Sequence, residues 1–86
     1  MVLHYVYIIH STSLDKYYKG YSLNPESRVC QHNNNESRYT RNKGPWVLVY
    51  KQSYTNKKDA LIREKVLKKY SKKQILELLG SSKNEI

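Results

Sequence analysis

Hydrophobic and polar positions along this chain fall into short blocks that predict a small sheet with helices. Val2 to Ile9 is dense in β-branched and aromatic residues, and so is Tyr17 to Tyr21, so both read as strands. Between them, His10-Ser11-Thr12-Ser13 with Asp15 has turn chemistry, which predicts an antiparallel hairpin. A fold about Thr12 and Ser13 sets Tyr7 opposite Tyr18 on one face, with Tyr17 on the other. Asn24-Pro25-Glu26 starts a helix, with Asn as cap, Pro at the first position and an acid in the first turn; it runs to about Asn33. A polar loop, Asn33 to Pro45, leads to a third strand, Trp46 to Tyr50, apolar enough to lie centrally or against a helix. Asn56 caps a second helix through about Tyr70. Ser71 caps a third from Lys72 to Leu79, whose Ile75, Leu76, Leu78 and Leu79 form a packing face. The pattern predicts one domain over residues 1–79 and a polar tail, 80–86, that frays.

A chain of 86 residues buries only about 60–65% of its unfolded surface, enough for one modest core. With no phenylalanine and nine tyrosines, its aromatic surface carries hydroxyls that need partners. The net charge of +9 points to a polyanionic partner, nucleic acid before membrane. No apolar run of about 20 residues exists to span a bilayer, and the run from Val2 to Ile9 is too short for a signal segment and is interrupted by His4. Cys30 alone can form neither an internal disulfide nor, with three scattered histidines, a zinc site, so a reducing, cytoplasmic location is the default.

Three stretches bear on chemistry. Arg28 and His32 are four apart and share a helix face with Val29, either as a solvated pair or as part of a site. The loop carries Arg38, Tyr39, Thr40, Arg41 and Lys43; loops of this length are often functional, and cations interleaved with an aromatic suit a nucleic-acid backbone and its bases. The bland alternative is a disordered basic loop. On the second helix, Ala60 and Leu67 flank Glu64, placing it on the border of the apolar arc, which Arg63 shares. Glu64 is equally readable as an ordinary helix pair with Lys68 or as a site acid.

These residues together resemble the GIY-YIG nuclease domain. Tyr5-Val6-Tyr7 stands for the first tripeptide and Tyr18-Lys19-Gly20 for the second; Arg28 follows ten residues after Tyr18, His32 lies one turn on with Asn33 behind it, and Glu64 sits on the following long helix. The pairs Tyr39-Thr40 and Gly44-Pro45, the strand after them and the run Ala60 to Lys65 also fit. The match covers Val2 to Leu79 and is similar to the small stand-alone branch. The chain departs at Tyr5, Lys19 and Tyr21, and it has no late asparagine between Tyr70 and Leu79.

The resemblance implies an α+β fold, a three-stranded antiparallel sheet flanked by helices in the order β-β-α-β-α-α. It implies an endonuclease that hydrolyses DNA phosphodiester bonds with one Mg²⁺ or Mn²⁺ held by Glu64. Arg28 would clamp the phosphate with its fork of donors. Tyr7 or Tyr18 would take a proton from water while the other positions water or phosphate, Arg28 and the metal lowering the phenol pKa. His32 would relay the proton or bind the phosphate. Lys19, Arg38, Tyr39, Arg41 and Lys43 are the candidate nucleic-acid contacts. Little sequence specificity is expected without a recognition domain, and stacking tyrosines make single-stranded, flapped or branched DNA a candidate substrate. The alternatives are a nucleic-acid-binding module of the same fold that cuts weakly or not at all, and a basic adaptor for other proteins.

Overall fold

The computed structural model describes residues 2–86. Its elements are β1 (His4–Ser11), β2 (Lys16–Ser22), α1 (Pro25–Asn33), β3 (Trp46–Tyr54), α2 (Lys57–Leu67) and α3 (Lys72–Leu79). The strands form one antiparallel sheet in the order β2-β1-β3. β1 is central and covered on both faces, which is why Val6-Tyr7-Ile8-Ile9 is continuously apolar instead of alternating. On one face Val6, Ile8 and Tyr50 pack against Ala60 and Leu67 of α2 and Ile75 and Leu78 of α3. On the other, Tyr7, Ile9 and Trp46 pack with Tyr18, Leu48 and Val29 of α1.

The helix starts are local chemistry. The side chains of Asn24, Asn56 and Ser71 accept hydrogen bonds from the backbone of Ser27, Asp59 and Gln74, and Gln74 returns a bond to complete a capping box. Tyr17 faces the α2 side of the sheet and Tyr18 the α1 side, as the period of a strand requires.

The structure corrects several expectations. The hairpin turns about Ser13 and Leu14, with Ser11 opposite Lys16, so Tyr7 faces Gly20 and Tyr18 faces Ile9. The two phenols are therefore diagonal neighbours on one face, because a register change of two residues preserves the face. Asp15 closes the loop in the left-handed region, at φ 52°. Of the two placements its apolar run allows, β3 takes the one against a helix, an edge strand packed on α1; it continues to Tyr54, beyond the expected Tyr50, since pairing with His4 to Tyr7 draws the polar Lys51-Gln52-Ser53 into the ladder. A bulge between its pairings to Ile8 and Ile9 leaves Val49 as the extra residue. α2 stops at Leu67, short of Tyr70. There the amides of Lys69 and Tyr70 donate to Val66 and Leu67 in a tighter turn that brings Tyr70 back onto the core.

The tail does not fray. Asn84 Nδ2 donates to the carbonyls of Val49 and Leu79, each at 3.0 Å. The Glu85 amide donates to Lys51 O at 2.9 Å, and its carboxylate accepts from the Ser53 amide at 2.6 Å. These bonds cover part of the outer edge of β3, which would otherwise present unpaired backbone groups. Asn84→Ala is expected to destabilise the fold by about 1–3 kcal/mol, because two carbonyls lose their donor. The urea midpoint reads this directly; an unchanged midpoint would mean the tail is not bound.

Candidate active site

Tyr7 reaches the site by lying across β2 where the sheet has no side chain. A Cβ on Gly20 would come within 2.5 Å of Tyr7 Oη and 2.6 Å of its Cζ. The glycine at the end of Tyr18-Lys19-Gly20 is required by space, since no glycine here adopts a positive φ. From that position Tyr7 Oη hydrogen-bonds His32 Nε2 at 2.9 Å.

His32 comes from the last turn of α1 and has no exposed surface. Its Nδ1 is hydrogen-bonded to Thr40 Oγ1 at 2.6 Å, and the Tyr18 ring meets it edge-on, centroids 5.2 Å apart. Burial, reinforced by the Arg28 guanidinium, lowers its pKa from 6.5 to about 4. The imidazole is therefore neutral at physiological pH, one nitrogen donating and the other accepting.

Arg28 lies one turn earlier on α1, half-buried, its Nη1 donating to Gln31 Oε1 at 2.6 Å. Glu64 projects from α2 with a side chain only 17% exposed; its carboxylate has one ion pair, to Lys68 at 3.5 Å. Both charges act on the same phenol. Burial and the neighbouring Tyr18 raise the pKa of Tyr7 to about 12, Arg28 draws it down and Glu64 pushes it up. Arg28 thus acts in the expected direction, but with no metal bound burial outweighs the guanidinium and Tyr7 holds its proton.

The structure thus brings Tyr7, Tyr18, Arg28, His32 and Glu64 together from β1, β2, α1 and α2. Thr40 completes the arrangement; the sequence shows it as one residue of the basic loop and half of the Tyr39-Thr40 pair, and nothing in its local context marks it as the partner of a histidine. Next to this cluster, an open pocket of about 330 Å³ is lined by Tyr17, Tyr18, Lys19, Tyr39 and Lys68. Lys19 is half-buried there, its pKa lowered by desolvation, and Tyr39 is 73% exposed. Tyr17 packs against His10 with centroids 4.6 Å apart, yet also edges this pocket.

Arg38, Arg41 and Lys43 are exposed and do not line that pocket. Their loop is nevertheless tied down. The hydroxyls of Ser11 and Ser13 donate to the carbonyls of Lys43 and Gly44 at 2.6 and 2.9 Å, and the Asn42 amide donates to Asn35 Oδ1 at 2.9 Å. Asn33 brackets the Trp46 backbone, donating to its carbonyl at 3.0 Å and accepting from its amide at 2.7 Å. The reading of a disordered basic loop does not hold.

Among the described residues, no group of three or more His, Cys, Asp or Glu side chains is placed to hold a metal. The cluster offers a metal one carboxylate, that of Glu64, and would leave its other positions to water. That set fits Mg²⁺, which keeps several waters and accepts one or two carboxylates. Among the described residues, no helix is long and apolar enough to cross a membrane.

Comparison with known proteins agrees with the geometry. Residues 3–77 match the GIY-YIG catalytic domain, and the chain belongs to the GIY-YIG family. Within that family its relatives are the UPF0213 proteins, a stand-alone group. It is 36% identical to a UPF0213 protein of Staphylococcus haemolyticus, over 92% of this chain and 96% of that one. It is 39% identical to one of Clostridium perfringens, over 92% and 85%. The solution NMR structure of a UPF0213 protein from Bacillus halodurans superposes with a TM-score of 0.60 at 27% identity, covering 96% of this chain and 88% of that one. The family is one of nuclease-type domains that act on nucleic acids, generally with a divalent metal.

The depressed pKa of His32 has a thermodynamic consequence. Between about 4 and 6.5 the unfolded chain binds a proton that the folded protein excludes, so stability rises with pH across that window and is complete above 6.5. The expected contribution is on the order of 3 kcal/mol, lost as pH falls through about 4. Urea titrations at several pH values check it: His32→Gln should flatten the slope in this window relative to the wild type, and an unchanged slope would contradict a neutral buried histidine.

Proposed function

We propose that the protein is a divalent-metal-dependent endonuclease acting on DNA with little sequence specificity. The observation that carries this reading is the convergence of a partly buried carboxylate, Glu64, and a guanidinium, Arg28, on one phenol that is itself hydrogen-bonded to a neutral histidine.

Glu64 would hold the metal, which supplies charge neutralisation at the scissile phosphate and the departing oxygen. Arg28, held by Gln31, binds a non-bridging phosphate oxygen through donors still free. Tyr7 receives the proton of the attacking water at Oη. Because a phenol of raised pKa is a poor base only while it keeps its own proton, that proton passes along the 2.9 Å hydrogen bond to His32 Nε2. Thr40 Oγ1 then accepts from the Nδ1–H of the imidazolium. Tyr18, diagonal to Tyr7, orients water or phosphate. Lys19, Tyr39 and Lys68 offer cations and an exposed ring to the strand beside the cut, and Arg38, Arg41 and Lys43 extend the basic surface.

A second reading, a binding module that cuts weakly, is favoured by one observation: the raised pKa keeps Tyr7 protonated, and the histidine behind it is a weak base. Cleavage of end-labelled single-stranded, duplex and branched DNA separates the two. Glu64→Gln should abolish cleavage in Mg²⁺ or Mn²⁺, as should EDTA, while binding survives. Tight, salt-sensitive binding with no cleavage under any metal would establish the binding module instead.

Gly20→Ala keeps every functional side chain and moves one of them. The added methyl must displace the Tyr7 ring, and displacements of about 1 Å at a reacting centre can cost about 100-fold. A fall in cleavage rate of that order, with DNA affinity retained, is expected; wild-type rates in Gly20→Ala would show that Tyr7 is not at the reaction centre.

A further inference from the structure

Arg63 takes no part in the cluster around Tyr7. It follows the buried stripe of α2 on the flank opposite Glu64, 100° away round the helix. Its Nε is buried without a hydrogen-bond partner, while the rest of the guanidinium lies against the phenol of Tyr50 and near that of Tyr54. Among the described residues it has no salt-bridge partner either. A guanidinium stays charged at any physiological pH, and leaving one of its donors buried and unpaired is unfavourable. Such a group calls for an acceptor.

The surroundings indicate what that acceptor is. Arg63 lies over the Tyr70 ring, 5.6 Å from its centroid. It opens on a pocket of about 300 Å³ whose walls carry Tyr70, Gln74, Glu77, Ser81 and Lys83. α2, α3 and the docked tail each supply a wall, so the hydrogen bonds of Asn84 to Val49 and Leu79 also hold the pocket together. The amide nitrogen of Gln74 adds a donor to the two cations, while the Ser81 hydroxyl is spent on Leu78 O at 2.8 Å. Arg63 and Lys83 against Glu77 leave the wall with one net positive charge. That balance suits the single negative charge of a phosphodiester, and Glu77 disfavours the dianion of a phosphomonoester.

We propose that this pocket binds a backbone phosphodiester of a nucleic-acid strand at a point beyond the catalytic cluster, giving the protein a second grip on its substrate. None of its lining residues belongs to the cluster of Tyr7, Tyr18, Arg28, His32 and Glu64. The inference rests on the reading of nucleic acid as substrate, and it does not require cleavage.

The test is binding of a single-stranded oligonucleotide of about 16 nucleotides to the full chain in EDTA, followed by fluorescence anisotropy over a salt series. Arg63→Met should bind roughly tenfold more weakly, with a salt slope shallower by about 0.7, the share of one phosphate contact on a single strand. Lys83→Met, on the exposed wall, should act in the same direction and carries the test if Arg63→Met is unfolded. Directly, the Arg63 Nε–H resonance should shift on adding the oligonucleotide and stay in place with inorganic phosphate at equal concentration. An unmoved resonance with unchanged slopes in both variants would mean that water alone meets Nε, and the proposal would be wrong. A shift with phosphate alone would overturn the diester assignment. Metal-dependent cleavage measured alongside keeps the two readings apart. Absent cleavage with the expected shift and slopes removes the nuclease reading and leaves the pocket, whereas cleavage with unchanged slopes removes the pocket alone.

Discussion

An imidazole with no exposed surface must find a partner within the protein for each ring nitrogen, and His32 finds them in two different parts of the chain. Tyr7 is on the central strand; Thr40 is in the connection between α1 and β3. Satisfying both fixes α1 against the sheet and orders a connection whose composition is that of a flexible loop. The consequences propagate: the Thr40 carbonyl accepts the Trp46 indole at 3.3 Å, and Asn33, next to His32, clamps the Trp46 backbone at the start of β3. One neutral side chain thus joins helix, loop and two strands. It also accounts for the separation of pKa values at the site, because the enclosure that keeps the imidazole uncharged keeps the phenol protonated.

A domain this small has few surfaces, and α2 uses three of its own. Ala60 and Leu67 are fully buried in the core. Glu64 leaves one border of that stripe for the cluster around Tyr7, and Arg63 leaves the other for the pocket beneath the tail. The two side chains are adjacent in sequence and work on opposite sides because a helix turns 100° per residue. With a formal charge of +9, the rest of the surface attracts a polyanion, but attraction alone selects nothing. Cations and rings are fixed together in two places: the pocket of Tyr18, Lys19, Tyr39 and Lys68 on one side, and that of Arg63, Tyr70 and Lys83 on the other.

The residues of the candidate site could be named as a set from the sequence, through their resemblance to the family, before any of them could be placed in space. Their behaviour was not legible there. Arg28 draws the phenol down as its place beside a tyrosine suggests, but in the metal-free protein burial outweighs it, because the desolvation of Tyr7 depends on Gly20, Tyr18 and α1 closing around it. Glu64 was undecided between a surface ion pair and a site acid; it forms the ion pair, loosely at 3.5 Å, and also acts on Tyr7.

The sequence by itself determined what depends on neighbours a few residues away: the caps at Asn24, Asn56 and Ser71, the limits of α1 and α3, and the opposite faces of Tyr17 and Tyr18. Only the tertiary structure decided the hairpin register, the length and edge position of β3, the early end of α2 and the docking of the tail. The reason is one of range. A cap is made within one helical turn and is written in adjacent residues. Register and burial are settled by contacts between residues far apart in the chain, where Lys51-Gln52-Ser53 becomes strand because β1 lies beside it, and a polar tail becomes ordered because β3 leaves carbonyls for Asn84 and Glu85 to meet.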